Sequence, residues 1–195
     1  MDFETLESIE GIKIDGLYLI VPEKYEDERG FFYESWNKQN FESIINSKID
    51  FVQDNQSKSH YGVLRGMHYQ INPMPQSKLI RCIKGEIFDI AVDIRRSSKT
   101  FGKWTGVILN EKNLKQLWIP NGFAHGFLTL SETAEVLYKT NNYWNKDLER
   151  TIKWNDAMIS IKWPINKLKG ISPILSKKDS EGCEFKDLII RNEVF

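Results

Sequence analysis

The chain has 195 residues, of which 41% are hydrophobic and 12% aromatic, and this is enough for one buried core. Lys plus Arg and Asp plus Glu both number 27, so the zero net charge indicates neither nucleic acid nor a membrane as a partner. The acidic opening MDFETLESIE has no apolar stretch, and no later segment is long and apolar enough to span a bilayer. Cys82 and Cys183 lie in no metal or redox spacing, which favours two reduced thiols in a cytoplasmic protein.

In chain order, the first clear element is a helix in the segment NKQNFESII. Asn37 is a suitable N-cap, and Phe41, Ile44 and Ile45 share one face. A second short helix is predicted near the end of the chain, over residues 177–188. No linker rich in Gly, Pro or Ser interrupts the sequence, so a single domain over residues 1–195 is predicted.

Between these helices the sequence predicts short strands, most clearly over residues 78–96. Apolar side chains alternate there with polar or small ones, which is the period of a β-strand. One face holds Phe88, Ile90, Val92 and Ile94, and the other holds Asp89, Ala91, Asp93 and Arg95. Gly85 and Glu86 are predicted to form a hairpin turn.

Further strands are predicted at regular intervals, over residues 104–110, 115–119, 126–130 and 135–140. Strands that follow each other at roughly ten-residue spacing are typical of a β-sandwich or barrel. Alternating β and α units would need a helical pattern after each strand, and none is present. The sequence therefore predicts a mainly β fold.

Histidine is scarce, and its placement bears on metal binding. A cupin-type metal site needs two histidines one residue apart, a nearby carboxylate and a third histidine on a later strand. The later element is present, because IPNGFAHGF has a Pro-x-Gly-x-x-His pattern that ends at His125. The first element is missing, because His68 is followed by Tyr69 and Gln70, and the remaining histidine is His60. We expect a cupin-like scaffold with no metal.

Acid–base chemistry remains, since the sequence has no Gly-rich dinucleotide loop and no Ser–His or Cys–His pair in a known motif. GVLRGMHYQ is the richest segment, with Arg65 and His68 three residues apart and glycines at 62 and 66. Arginine suits a phosphate and imidazole titrates near neutrality, so both could serve one ligand. A lone histidine is a hydrogen-bonded support about as often as a catalyst, and the residues alone leave both roles open.

Several longer motifs occur in a fixed order along the chain. They are DERGFFYES, FVQDNQSKS, GVLRGMHYQ, QSKLIRCIKGEIFDIAVDIRRSSKTFGKW, QLWIPNGFAHGFLTLS, EVLYKTNNYW and ILSKKD. Their content and order resemble the dTDP-4-dehydrorhamnose 3,5-epimerases, from about Gly16 to Asp179. The resemblance implies a cupin-like jelly-roll β-sandwich with a few short peripheral helices, usually a homodimer, that needs no cofactor. It also implies a dTDP-sugar substrate and a role in making dTDP-L-rhamnose for cell-surface polysaccharide.

The resemblance implies four catalytic residues. His68 matches the base that removes protons beside the keto group of the sugar, and Asp179 matches the carboxylate that orients this base. Tyr138 matches the tyrosine that returns a proton from the opposite face of the ring. Lys78 matches the cation near the keto oxygen, where the charge of an enolate develops. Without the resemblance, Asp179 and Lys78 would be taken for solvated charges, and Tyr138 could equally be an ordinary strand residue that shares a face with Val136.

The resemblance also implies residues that contact the nucleotide and the sugar. Arginine donors can bind two diphosphate oxygens at once, and Gln and Asn side chains both donate and accept hydrogen bonds. An aromatic side chain can stack on the thymine ring. The implied contacts are Arg29, Glu34, Gln53, Asn55, Arg65, His125, Tyr143, Trp144, Glu149 and Lys178.

The sequence departs from the family pattern at several places, and three of them bear on the site. Trp144 stands where a tyrosine is common, which keeps a stacking ring but removes a hydroxyl. Ser77 stands where glycine is usual. The stretch over residues 164–177 is longer than in the compact members, and it determines where Asp179 lies.

Three other functions stay open at this level. A sister enzyme on the same scaffold would invert only C3 or only C5 of another dTDP-4-keto-deoxysugar. A metal-dependent cupin, such as a dioxygenase or isomerase, is disfavoured by the missing histidine pair. A nucleotide-sugar binding protein would not need a histidine, tyrosine, lysine and aspartate together.

Overall fold

A computed structural model describes residues 2–195 and is dominated by strands. The strands are Asp2–Glu7 (β1), Lys13–Val21 (β2), Lys24–Asp27 (β3), Gly30–Tyr33 (β4), Gln53–His60 (β5), Leu64–Gln70 (β6), Lys78–Lys84 (β7), Glu86–Asp93 (β8), Trp104–Asn110 (β9), Gln116–Ile119 (β10), Phe123–Thr129 (β11), Thr133–Thr140 (β12) and Glu149–Thr151 (β13). The helices are Lys38–Ile45 (α1), Lys177–Ser180 (α2) and Phe185–Ile190 (α3), with a 3-10 turn at Ile165–Leu168. The predicted mainly β fold with a few short helices is confirmed.

Strands β5 to β12 are divided between two antiparallel sheets, and the chain changes sheet at every connection except the one between β8 and β9. The first sheet has the order β5-β12-β7-β10, and the second has the order β6-β11-β8-β9. Eight strands connected in this way form a jelly roll, so the predicted topology is confirmed as well. β1 and β2 extend the first sheet beyond β10, β13 extends the second beyond β6, and β3 and β4 form a separate hairpin.

The predicted hairpin turn at Gly85 and Glu86 is wrong. β7 and β8 belong to different sheets, so the chain crosses from one sheet to the other at this point. Gly85 has φ 74°, and a side chain here would collide with the carbonyl of Thr133. Period-2 alternation predicts that a segment is a strand, but it contains no information about the partner strand.

Apolar clusters cover both faces of each main sheet. The central cluster lies between the sheets and joins Leu17, Ile80 and Leu117 of the first to Ile87 and Phe127 of the second. Each such fully buried side chain contributes about 1.5–3 kcal/mol.

The outer faces of the sheets are covered by the flanking segments. On the second sheet, Val92 of β8 lies in one apolar cluster with Trp163 and Phe185 from the C-terminal part of the chain. On the first sheet, α1 lies across β10, and the rings of Phe41 and Trp118 meet with centroids 5.1 Å apart. Strand β8 is therefore buried on both sides.

The helices agree with the sequence in part. Asn37 caps α1, because its side chain accepts a hydrogen bond from the amide of Asn40 at 3.1 Å. The predicted helix over residues 177–188 is two helices, α2 and α3. Between them the backbone of Cys183 pairs with the end of β13 and the residues that follow it. Its amide donates to the carbonyl of Thr151 at 2.9 Å and its carbonyl accepts from the amide of Lys153 at 2.8 Å, and these bonds interrupt the helix. Within residues 2–195, no helix has the length and apolar character needed to cross a membrane.

Candidate active site

A cavity of about 460 Å³ lies between the two sheets of the jelly roll. Its wall contains residues of β5, β7 and β12 from the first sheet and of β6 and β11 from the second. The residues predicted from the sequence that line it are Gln53, Asn55, Arg65, His68, Lys78, His125, Tyr138, Trp144, Glu149 and Lys178. Ser57 and Phe127 also line it and were not predicted.

His68 on β6 forms a hydrogen-bonded dyad with Asp179 of α2. The distance from His68 Nε2 to Asp179 Oδ1 is 2.6 Å, and Asp179 is only 3% exposed. The amide of Gly66 donates to the same oxygen at 3.2 Å, and the hydroxyl of Ser176 donates to Oδ2 at 2.6 Å. The ionised carboxylate accepts the proton of Nε2, which leaves Nδ1 of His68 as the free lone pair. The long stretch over residues 164–177 does not prevent this contact.

The environment sets the charge of both dyad members. Burial lowers the pKa of His68, although the hydrogen bond that His68 donates to Asp179 opposes this, and the ammonium groups of Lys178 and Lys78 lower it further. Burial alone would raise the pKa of Asp179, but the hydrogen bonds from His68 and Ser176 outweigh it and bring the pKa to about 2. Near neutral pH the imidazole is neutral and the carboxylate ionised, which is the state that a general base requires.

Lys78 and Tyr138 reach the cavity from the sheet that faces His68. Nζ of Lys78 donates to the backbone carbonyl of His68 at 3.5 Å. Burial lowers the pKa of this lysine to about 8, against the opposing effect of nearby carboxylates at Glu149 and Asp89. Burial also raises the pKa of the Tyr138 hydroxyl, which keeps it protonated. The cavity thus has an imidazole on one wall, and an amine and a phenol hydroxyl on the other.

A second histidine dyad lies beside the first. His125 on β11 is opposite His68 in the ladder with β6, and its Nε2 is 2.5 Å from Oδ1 of the fully buried Asp89. Asp89 was not predicted as a site residue, because alternation alone placed it on a polar strand face. Asp89 lies on the same strand face as Ile87, which packs between the two sheets. This shared face is the signal in the sequence that could have identified Asp89 as a residue of the interior.

The polar strand β5 supplies one side of the cavity. Its inward residues alternate with exposed ones, and Nε2 of Gln53 donates to Oδ1 of Asn55 at 2.8 Å. Nδ2 of Asn55 and Oγ of Ser57 are buried without a hydrogen-bond partner among residues 2–195. A buried donor without a partner carries a free-energy penalty, so these groups are suited to bind a polar ligand.

Charged side chains at the cavity are held by specific partners. Nε of Arg65 donates to Oγ of Ser59 at 3.0 Å, which fixes the guanidinium against β5. Nζ of Lys178 lies 2.9 Å from a carboxylate oxygen of Glu149. The guanidinium and the ammonium provide the cationic groups that a diphosphate requires.

The same cavity offers few metal ligands. In the part of the chain from residue 2 to residue 195, no group of three or more His, Cys, Asp and Glu side chains could hold a metal ion. His68 and His125 each bond a carboxylate through Nε2.

Comparison with known proteins connects this cavity to a family. The family model described as dTDP-4-dehydrorhamnose 3,5-epimerase matches residues 11–187. The chain belongs to this family. A relative from Shigella flexneri named dTDP-4-dehydrorhamnose 3,5-epimerase is 54% identical over 175 residues, which cover 90% of this chain and 94% of that protein.

Solved structures agree with this membership. The dTDP-6-deoxy-D-glucose-3,5-epimerase of Legionella pneumophila Philadelphia 1, in complex with dTDP-4-keto-L-rhamnose, is similar with TM-score 0.88 and 42% identity, covering 99% of this chain and 97% of that one. A 3'-monoepimerase from Streptomyces bikiniensis, in complex with dTDP-quinovose, has TM-score 0.86 and 27% identity, covering 93% and 89%. The resemblance stated from the motifs is confirmed.

In this member of the epimerase family, three residues implied by the resemblance lie outside the cavity of their own chain. Arg29 is in the β3–β4 hairpin, where its exposed side chain pairs with Asp27 at 2.5 Å. Glu34 follows β4 and accepts a hydrogen bond from Nδ2 of Asn37 at 3.1 Å. Tyr143 is 61% exposed, whereas its neighbour Trp144 lines the cavity.

Proposed function

We propose that this chain is a dTDP-4-dehydrorhamnose 3,5-epimerase that converts dTDP-4-keto-6-deoxy-D-glucose to dTDP-4-keto-L-rhamnose. The observation that carries the proposal is the placement of His68 and Tyr138 on facing walls of one cavity. Epimerisation requires a proton to leave one face of the sugar ring and another to arrive on the opposite face. A base and an acid on opposite walls are suited to this.

The chemistry follows from the acidity of hydrogens beside a ketone. His68 removes the proton from C3 or C5 through Nδ1, and the carbanion delocalises onto the keto oxygen as an enolate. A positioned base of this kind contributes about 10²–10⁴-fold to the rate. The ammonium of Lys78 stabilises the enolate oxygen, and a group in this role contributes roughly 3–4 kcal/mol. Tyr138 then donates its proton from the other wall. No electron is transferred, so the reaction needs no cofactor.

The single-position epimerase is the second candidate. The Streptomyces bikiniensis 3'-monoepimerase shares the fold but is 27% identical, against 54% for the Shigella flexneri 3,5-epimerase. This difference supports inversion at both carbons. Incubation of the purified protein with dTDP-4-keto-6-deoxyglucose, followed by NMR, tests the proposal. We expect product inverted at C3 and C5, and product inverted at one carbon would favour the second candidate.

Trp144 is assigned to the thymine ring. It lines the cavity, is 53% exposed, and its amide donates to Oε1 of Gln53 at 3.0 Å. We expect Trp144→Ala to weaken dTDP binding by roughly 1–3 kcal/mol, the range for one base on an aromatic side chain. Calorimetry with dTDP measures this, and Trp144→Phe, which keeps an aromatic ring at the same place, is the matched control with little expected change. Unchanged affinity in Trp144→Ala would make the indole a packing residue.

The active form in this proposal is a homodimer. The β3–β4 hairpin exposes Phe31 and Phe32 at 56% and 70%, and Arg29 lies between its strands without reaching its own cavity. A second copy would cover these rings, and Arg29 and Glu34 would then serve the cavity of the partner. We expect light scattering to give twice the chain mass of 22.9 kDa and Phe32→Glu to give single chains. A single-chain mass for the fully active protein would contradict the dimer.

We propose that the enzyme acts in the cytoplasm. Its substrate there is a dTDP-sugar, and the eventual product of the route is dTDP-L-rhamnose. Cys82 and Cys183 are both free thiols, which a reducing compartment favours. Zero net charge gives no reason to include nucleic acid or a membrane among the partners.

A further inference from the structure

Ser176 makes a two-way contact with the carboxylate behind the catalytic base. Its hydroxyl donates to Oδ2 of Asp179 at 2.6 Å and accepts from the amide of Asp179 at 3.1 Å. The other carboxylate oxygen, Oδ1, is bonded to His68 and to the amide of Gly66. Each oxygen therefore has its own donors, one set on β6 and one on the segment that enters α2.

The backbone on both sides of α2 is bonded to the sheet that carries His68. Before the helix, the amide of Leu64 donates to the carbonyl of Ile174 at 2.9 Å, and the amide of Ile174 donates to Gly62 at 2.8 Å. After the helix, Cys183 pairs with the chain next to Ile152. The short helix is thus held at two points over β6 and β13, and its place is fixed without Ser176.

The orientation of the carboxylate is a separate matter from the place of the helix. A carboxylate on a fixed backbone still rotates about its side-chain bonds, and a rotation that removes Oδ1 from His68 breaks the dyad. The hydroxyl of Ser176 opposes this rotation, because it holds Oδ2 while Gly66 and His68 hold Oδ1.

We infer that Ser176 is a positioning residue for the base, which it serves by fixing Asp179 so that the Nε2–H of His68 has one acceptor and Nδ1 stays free for the substrate. The catalytic role of His68 in this inference rests on the proposed function. The contacts of Ser176 and Asp179 do not depend on that function. The hydrogen bonds made by the two ring nitrogens determine which of them carries the proton, and a nitrogen that faces a carboxylate carries it. The hydrogen bond from Ser176 also contributes to the low pKa of Asp179, which keeps the acceptor ionised.

The test replaces the hydroxyl without disturbing the helix. Ser176 is exposed, so its replacement removes little packing. Ser176→Ala removes the hydroxyl, and Ser176→Gly does the same at an N-cap position where glycine is well tolerated. Ser176→Thr keeps a hydroxyl at the same place and is the matched control. Melting temperatures show whether each variant is folded.

The first readout is independent of activity. ¹⁵N NMR of the imidazole reports the tautomer and the pKa of His68, and the chain has only three histidines to assign. Wild type and Ser176→Thr should show His68 with the proton on Nε2. Ser176→Ala and Ser176→Gly should show a mixture of both tautomers, and a lower pKa because the contact with Asp179 that raises it is weakened. Identical tautomer and pKa in all four proteins would overturn the inference.

The second readout is kinetic. Loss of the hydroxyl should lower kcat by about 10–100-fold, the range for removal of a group behind a functional ligand, with KM little changed. In an Asp179→Asn background the same replacement should change kcat by less than about twofold, because the group that Ser176 holds is already lost. An equal loss in both backgrounds would show that Ser176 acts otherwise and would overturn the inference. If wild type lacks epimerase activity while the NMR result holds, the proposed function fails and the positioning role stands.

Discussion

Replacement of His68 by asparagine is expected to lower turnover by about 10²–10⁴-fold, the contribution of a positioned general base. The amide keeps a polar side chain of similar size at the cavity wall but cannot accept a proton from carbon. The affinity for the nucleotide should stay close to that of wild type, because His68 is not among the residues assigned to bind the diphosphate or the thymine ring. Steady-state kinetics and calorimetry with dTDP measure the two quantities separately.

The matched control is His60→Asn. His60 is exposed at the end of β5 and does not line the cavity, so this variant should retain wild-type turnover. Turnover of His68→Asn within about threefold of wild type would contradict the assignment, since such a change corresponds to less than 1 kcal/mol of transition-state stabilisation.

Lys78 should determine the alkaline limb of the pH profile. Burial lowers its pKa from 10.5 to about 8, so the ammonium is present below that pH and is lost as the pH rises through it. An enolate oxygen needs the charged form, and kcat/KM should therefore fall above about pH 8. Lys78→Met should lower kcat by about 10²–10³-fold and remove this limb. Lys84→Met, in the exposed end of the same strand, is the control and should leave the profile unchanged.

The stability of the Lys78→Met variant should rise, although its activity should fall. A buried lysine whose pKa is lowered binds its proton less well in the folded chain than in the unfolded chain, so the charge lowers the free energy of unfolding below about pH 8. Lys78→Met removes this penalty and should raise Tm near neutral pH while activity falls. A variant that loses both stability and activity would indicate general damage, and an unchanged alkaline limb would contradict the assigned role.

The sequence predicted the strands and most of the cavity wall, but not how strands pair. The boundaries of β9 agree with the predicted strand over residues 104–110, because strand propensity and alternation are local properties. The turn at Gly85 was assigned to a hairpin because a glycine between two strands is the local signal for one. The sheet crossing that is present depends on contacts with Thr133, far along the chain.

Site residues within one continuous motif could be predicted from the sequence, whereas contacts between residues far apart in the chain were harder to predict. His68 and Asp179 are 111 residues apart, and their pairing came from the family resemblance rather than from spacing. Asp89 was missed, because β8 is covered on both faces and an acidic residue in an alternating strand normally indicates the solvent side. Arg29 lies on a hairpin outside the cavity of its own chain, and no local pattern in the sequence predicts this.

The exchange of substrate hydrogens with solvent tests the central claim, that His68 removes protons beside the ketone through an enolate. In deuterium oxide, the wild-type enzyme should place deuterium at both C3 and C5 of the sugar, as read by NMR and mass spectrometry. Tyr138→Phe deletes the acidic hydroxyl and keeps the ring, so it should make less doubly inverted product while still labelling at least one carbon. Labelling at one carbon alone in wild type would contradict double epimerisation. Inversion of both centres without any deuterium would contradict the enolate mechanism.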